Sequence, residues 1–250
     1  MKYKIFDSGI FFNADCFDVM KSLTHDCIDM VLVDLPYGTT QNKWDSVIPL
    51  DKLWKEYYRI GKETTPFVLT AQSPFDKMLG YSNINDLKYE WIWKKENGTG
   101  HLNAKKQPLK NHENILVFYR KQCQYNPIMR SGNPYKIKSG RGSSNYNEQK
   151  SVVTENKGER YPLSILEFQR DKEKIHPTQK PVALFEYLIR TYTNEKMMVM
   201  DNTAGSGTTA IAAINTNPSS ICVEKDEEYY EKAIERISKH LEESHDTGNS

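Results

Sequence analysis

The chain has 250 residues, 38% of them hydrophobic and 27% charged, with a net charge of +1, which suits one large α/β domain with a modest insertion and a core that needs no cross-links. Its four cysteines, Cys16, Cys27, Cys123 and Cys222, lie far apart with no C-x-x-C pair, which argues against a zinc site and a disulfide framework. No apolar run approaches the roughly 18 to 20 residues of a membrane helix, and the amino terminus lacks a signal-peptide core, so the expectation is a soluble cytoplasmic protein.

Along the chain, the apolar run 27–33 ends in Asp34 and reads as a buried parallel strand; the run 197–200 ends in Asp201 and reads the same way. Shorter β-type runs fall at 67–70, 89–93, 115–119 and 220–223. Helical spacing covers 50–60, 181–192 and 226–241, the second opened by Pro181. Strands alternating with helices predict a doubly wound, mostly parallel sheet of the Rossmann-like kind. Residues 122–174 break the rhythm with Ser131-Gly132-Asn133-Pro134 and Ser139-Gly140-Arg141-Gly142 turns. Four tyrosines in that stretch, 125, 135, 146 and 161, offer planar faces for bases, so it reads as a substrate-recognition insertion rather than a bare linker. The predicted organisation is a catalytic half at 1–121, the insertion at 122–174, a cofactor half at 175–241 and a polar tail at 242–250.

Residues 94–141 hold eleven Lys and Arg against Glu96 and Glu113, a local balance of +9 within a chain of net +1. A basic block in an acidic frame points to a polyanion such as nucleic acid. Within it, Lys105, Lys106 and Lys110 with the 97–100 turn form a candidate DNA-facing loop, and Arg130, Lys136, Lys138 and Arg141 are candidate DNA contacts in the insertion. The histidines at 25, 101, 112, 176, 240 and 245 make no ligand-spaced cluster, so no metal is expected.

Two turns carry the chemistry. After 197–200 comes Asp201-Asn202-Thr203-Ala204-Gly205-Ser206-Gly207-Thr208, then a helix-forming run. Glycines at 205 and 207 let a nucleoside-bearing ligand approach the backbone, helix amides suit a carboxylate, and Glu224 closing the next strand can accept from ribose hydroxyls. No lysine follows Gly207, which removes the phosphate-loop reading, but a nicotinamide cofactor fits the same loose pattern. After the first strand comes Asp34-Leu35-Pro36-Tyr37-Gly38. Read alone this is a Pro-Gly turn. Read chemically, a carboxylate and a backbone carbonyl could both accept from an exocyclic amino group, whose delocalised lone pair makes it a poor nucleophile, and Tyr37 would stack on the base.

Asp34-Leu35-Pro36-Tyr37 and the downstream Gly turn resemble the amino-methylating DNA methyltransferases, with their [DNS]-P-P-[YFW] tetrapeptide and F-x-G-x-G-like turn. The order, tetrapeptide first and cofactor turn some 165 residues later, resembles the permuted beta type. Asn13-Ala14-Asp15-Cys16, His176-Pro177-Thr178-Gln179-Lys180-Pro181 and His112-Glu113-Asn114-Ile115-Leu116 resemble further family motifs, for cofactor adenine, methionine moiety and target-base pocket. The resemblance implies an S-adenosylmethionine-dependent adenine-N6 methyltransferase acting on a flipped base in double-stranded DNA. Asp34, Leu35, Pro36 and Tyr37 would be catalytic. Asp15, Lys180, Asp201, Ala204, Gly205, Gly207, Thr208 and Glu224 would bind the cofactor. A homodimer and a partner restriction endonuclease fall within what the family allows. The sequence departs from the family at Leu35, where a proline is usual, and at Asn202-Thr203, where Pro-Phe is common. Cytosine-N4 methylation, a nicotinamide oxidoreductase and an inactive DNA-binding module remain the alternatives.

Overall fold

The computed structural model describes residues 1–38, 46–138, 153–173 and 175–247. In chain order its elements begin with β1 (Lys2–Phe6), β2 (Gly9–Asn13), α1 (Cys16–Ser22), β3 (Met30–Asp34) and α2 (Leu50–Ile60). They continue with β4 (Phe67–Ala71), α3 (Phe75–Ser82), β5 (Leu87–Thr99), β6 (Lys110–Phe118), β7 (Arg130–Ser131) and β8 (Tyr135–Lys138). The last are β9 (Val153–Asn156), β10 (Glu159–Arg160), β11 (Ile165–Glu167), α4 (Val182–Tyr192), β12 (Met198–Asp201), α5 (Thr208–Thr216), β13 (Ser219–Glu224) and α6 (Glu227–Thr247).

One nine-stranded sheet runs β1-β2-β13-β12-β3-β4-β6-β5-β11. Its centre, from β2 to β4, is parallel, whereas β6 lies antiparallel to both β4 and β5. Alternation along β3 explains the layering: Val31 and Val33 join the cluster built with α1, α2 and α3, while Met30 and Leu32 join the one built with α4 and α5. A third cluster, around Phe11, Cys222, Ala233 and Ile237, seats α5 and α6 on β2 and β13. A strand buried on both faces reads as a continuous apolar run, as β3 does, with Met30 to Val33 fully buried. Each such side chain contributes roughly 1.5–3 kcal/mol of burial.

The helices after β3 and the helix after β12 leave toward opposite faces, so the gap between these neighbouring strands is a topological switch point. Ligands of open α/β sheets bind at the carboxyl ends of strands there, and Asp34 and Asp201 are those ends.

Some elements differ from the sequence reading. Residues 27 and 28 precede β3 because their amides bond to the Ile60 carbonyl, at 2.8 and 3.0 Å. The 97–100 segment is not a turn: β5 continues to Thr99, which pairs with Lys110, so the chain reverses between Gly100 and Leu109. Residues 242–247 continue α6. The second compact unit is Pro127–Leu163, narrower than 122–174. Its boundaries have physical anchors, because the Asn126 amide bonds to the Thr191 carbonyl at 2.7 Å and Ser164 receives the Ile92 amide at 2.7 Å. That unit contains two small antiparallel pairs, β7 with β10 and β8 with β9. Among the described residues no helix is long and apolar enough to cross a membrane, and no group of His, Cys, Asp and Glu could hold a metal ion.

Candidate active site

A cleft of about 900 Å³ opens over the carboxyl ends of β3, β12 and β13. Asp34, Leu35, Pro36 and Tyr37 line one part of it, and Asp15, Ala204, Gly205, Thr208 and Glu224 line another. The two distant sequence turns therefore share one cavity.

At the β3 end, Asp34 Oδ1 accepts from the Tyr37 hydroxyl at 2.7 Å and from the Thr70 hydroxyl, which itself lies 3.0 Å from the Tyr37 oxygen. Asp34 Oδ2 accepts from Lys180 Nζ at 2.5 Å. Thr203 Oγ1 donates to the Asp34 carbonyl at 3.0 Å, joining the two strand-end turns. The Tyr37 ring stacks on Phe75, centroids 5.3 Å apart. Burial and the nearby Asp34 and Glu113 charges push its phenol well above the ordinary value, so Tyr37 is a neutral donor.

Behind Lys180 lies a second layer of charge. Glu113, on β6, faces Lys180 at 3.2 Å and accepts from Lys95 and, at 2.7 Å, from Gln72. Burial alone would raise the Glu113 carboxyl, but Lys180 and Lys95 hold it below the usual carboxylate range. Burial would likewise lower Lys180, and Asp34 and Glu113 reverse that, raising it. The row Lys95, Glu113, Lys180, Asp34 is thus an alternating set of three buried charges and one half-buried one, each compensated by its neighbours.

At the β12 end, Asp201 is only 3% exposed. Its oxygens are spent on the turn, accepting from the Thr203 amide at 3.1 Å and from the Thr209 hydroxyl. Burial pushes its carboxyl up to about 7. Glu224 accepts from the Gly205 amide at 2.9 Å and the Asp226 amide at 2.7 Å, and burial raises its pKa. Asp15 caps α1 by accepting from the Phe17 amide at 3.0 Å and meets Lys225 at 3.0 Å. His176, which burial holds below the ordinary imidazole value, lies against Tyr229 with centroids 4.2 Å apart.

Three of the residues expected to bind the cofactor have structural partners of their own. Lys180 lines the cleft, and its ammonium lies against Asp34 and Glu113. Gly207 is not on the cleft wall. It caps α5 with a φ of +75°, and a Cβ there would lie 3.1 Å from Ile237 Cδ1, so its missing side chain makes room for α6. Asp201 lines the cleft but directs its carboxylate into its own turn.

Lys105, Lys106 and Lys110 are exposed on and beside the β5–β6 reversal, with Lys110 donating to the Ser73 carbonyl at 3.0 Å. In the second unit, Arg130 donates to the Tyr161 carbonyl at 3.2 Å, Lys136 pairs with Glu155 at 3.4 Å, and Lys138 is exposed. Arg141 lies outside the described residues. Sequence reading missed Thr70, Gln72, Lys95 and Thr203 as partners of this site. They come from four different elements or turns, and only Thr203 lies in a motif read from the sequence, where nothing marks its bond to the Asp34 carbonyl.

Residues 28–235 match the DNA methylase family N6_N4_Mtase. The chain belongs to that family. Among its relatives, it is 26% identical over 239 residues to the type II methyltransferase M.HpaI of Haemophilus parainfluenzae, covering 90% of this chain and 72% of that one. Two solved structures share its fold. The M1.HpyAVI–SAM complex aligns with a TM-score of 0.62 at 22% identity, covering 90% of this chain and 98% of that one. The cytosine-N4-specific PvuII DNA methyltransferase aligns at 0.67 and 15% identity, covering 91% and 86%. Family membership gives this DNA methylase an architecture in which the shared cleft is the place to look for chemistry.

Proposed function

We propose that this DNA methylase transfers the methyl group of S-adenosylmethionine to adenine N6 in double-stranded DNA. The observation that carries the proposal is the single cleft joining Asp34 to Gly205 and Glu224. The cofactor fits the donor set present: a Cβ at Gly205 would project into open space with only His176 near, at 4.0 Å, and Glu224 and Asp15 offer carboxylates suited to ribose hydroxyls and an adenine amino group. When bound, S-adenosylmethionine supplies an electrophilic methyl group on a sulfonium.

The rest is work for the chain. A target base inside a duplex must be flipped to reach the cleft. Asp34 and the Leu35 carbonyl accept from its amino group, drawing density onto nitrogen and aiming its lone pair. Asp34 would take up the proton that the amino nitrogen sheds once it has been methylated. Tyr37 and Thr70 fix the Asp34 oxygen that faces away from Lys180. Lys105, Lys106, Lys110, Arg130, Lys136, Lys138 and Arg141 supply phosphate contacts. An aspartate heading the tetrapeptide favours adenine, by resemblance within the family, and the type II relative adds a cognate restriction endonuclease to the proposal.

The test is to incubate unmethylated bacterial DNA with the protein and S-adenosylmethionine and map modified bases by single-molecule sequencing. N6-methyladenine in one sequence context, lost in Asp34→Ala, is the expected result. N4-methylcytosine would replace adenine by cytosine, and unmodified DNA with retained DNA binding would leave a binding module.

A further inference from the structure

We propose that Lys180 is a two-position cation, resting on Asp34 in the free enzyme and passing to Glu113 when a base amino group arrives, which makes Glu113 a positioning residue for methyl transfer. The inference rests on the reading of Asp34 as the acceptor of that amino group.

The two Asp34 oxygens are engaged very differently. Oδ1 is held by Tyr37 and Thr70, a ring wedged on Phe75 and a side chain inside β4. Oδ2 is held by one donor on a long flexible stem, Lys180 Nζ, at 2.5 Å. An arriving NH2 group therefore competes with Lys180 for Oδ2. The ammonium is doubly unhelpful where it rests, since it draws density from the carboxylate oxygen and sets a positive charge beside a nitrogen that becomes cationic during transfer.

A buried ammonium cannot simply be released, because an unpaired charge in this setting is strongly destabilising. Its side chain is 4% exposed. Glu113 supplies the second berth. Its Oε1 already accepts from Lys95 and Gln72. Its Oε2 is buried and already ion-paired with Lys180 Nζ at 3.2 Å, but receives no aligned hydrogen bond among the described residues. A small swing of the Lys180 stem completes that bond and frees Asp34 Oδ2. The charge on Lys180 stays paired throughout, and no proton changes hands.

The test measures single-turnover methylation with saturating unmethylated bacterial DNA and radiolabelled S-adenosylmethionine. Glu113→Gln keeps the shape but removes the anion, so Lys180 stays on Asp34. The expected result is a rate at least about tenfold lower, with DNA affinity and calorimetric S-adenosylmethionine affinity changed less than about twofold. In a Lys180→Met background the same Glu113→Gln change should alter the rate less than about twofold. An equal effect of Glu113→Gln with and without Lys180 overturns the proposal and makes Glu113 a packing residue. A second measurement does not depend on the variants folding: the crystal structure of wild-type protein with sinefungin and its mapped target duplex. Lys180 Nζ bonded to Glu113 Oε2 supports the proposal, and Lys180 still on Asp34 Oδ2 beside a flipped base overturns it. A wild type that modifies no amino group would instead fail the underlying reading of Asp34, before any variant is compared.

Discussion

Gly205 and Gly207 are two residues apart in one turn, and the structure gives them separable jobs. Both have positive φ, +49° and +75°, so alanine at either costs about 1–2 kcal/mol of backbone strain. At Gly207 the new Cβ also meets Ile237 Cδ1 at 3.1 Å and Ala233 Cβ at 3.4 Å, where α5 and α6 are already packed, and overpacking adds roughly 1–3 kcal/mol. Gly207→Ala should therefore lose about 2–5 kcal/mol, which for a chain of this size lowers the melting temperature by roughly 4–20 °C. At Gly205 nothing beyond His176 Cδ2, at 4.0 Å, crowds the Cβ, so the stability loss stays near the strain alone. That Cβ instead stands on the cleft wall, where a close-lying ligand would meet it. Urea denaturation without ligand should rank Gly207→Ala as the less stable variant. Calorimetry should rank Gly205→Ala as the weaker binder of S-adenosylmethionine, by at least about tenfold. The reverse ranking in calorimetry would refute the assignment of Gly207 to helix packing.

Asp201, pushed up to about 7 against 3.8 in an unfolded chain, holds more protons folded than unfolded between those values, so its contribution to stability falls as pH rises through that window. Asp201→Asn should flatten the dependence of melting temperature on pH between about 4 and 8 and gain relative to wild type at the alkaline end, by at most about 4 kcal/mol; a variant curve parallel to wild type would contradict the buried-acid reading. Tyr57→Phe removes the hydroxyl that donates to Asn202 Oδ1 at 2.5 Å, both groups buried, and should cost about 1–3 kcal/mol in urea denaturation. Reversing Lys105, Lys106 and Lys110 to glutamate should weaken binding to all DNA sequences alike and flatten its salt dependence, whereas a loss confined to one sequence would assign those lysines to base reading.

The sequence exposed what is local and periodic. The apolar runs before Asp34 and Asp201 foretold β3 and β12, and the 50–60 spacing foretold α2 with its bounds. The hairpin was less legible: Lys94 to Gly100 looks polar and turn-like, yet β5 persists because β6 pairs with it out to Thr99, a decision made by partner backbone rather than by propensity. The narrow second unit was blurred for a related reason, since Ile165 to Glu167 looks like part of the insertion but is a strand on the edge of the main sheet. Least legible was the charge row. Lys180 and Asp34 are 146 positions apart, and nothing in a one-dimensional pattern says that an ammonium from the segment before α4 will reach the end of β3.

Asp34 and Asp201 look equivalent in sequence, each closing a buried strand at the same sheet edge, yet only one keeps its carboxylate toward the cleft, and the reason lies two residues downstream. A carboxylate at a strand end readily accepts from the amide of residue i+2, closing a small turn on itself. Asp201 does so with Thr203 and Glu224 with Asp226, and Asp15 makes the same i+2 bond with Phe17 as the cap of α1. Asp34 has Pro36 at that position, and proline carries no amide proton. The self-closing turn through a backbone amide is therefore unavailable, and Asp34 takes its donors from side chains: Tyr37 three residues on, and Thr70 and Lys180 from distant segments. Three side-chain donors, two of them from outside its own turn, leave the carboxylate 21% exposed where Asp201 is sealed. On this argument Pro36 is the proline that denies Asp34 its self-closing turn, and the residue at position 35 has no part in that.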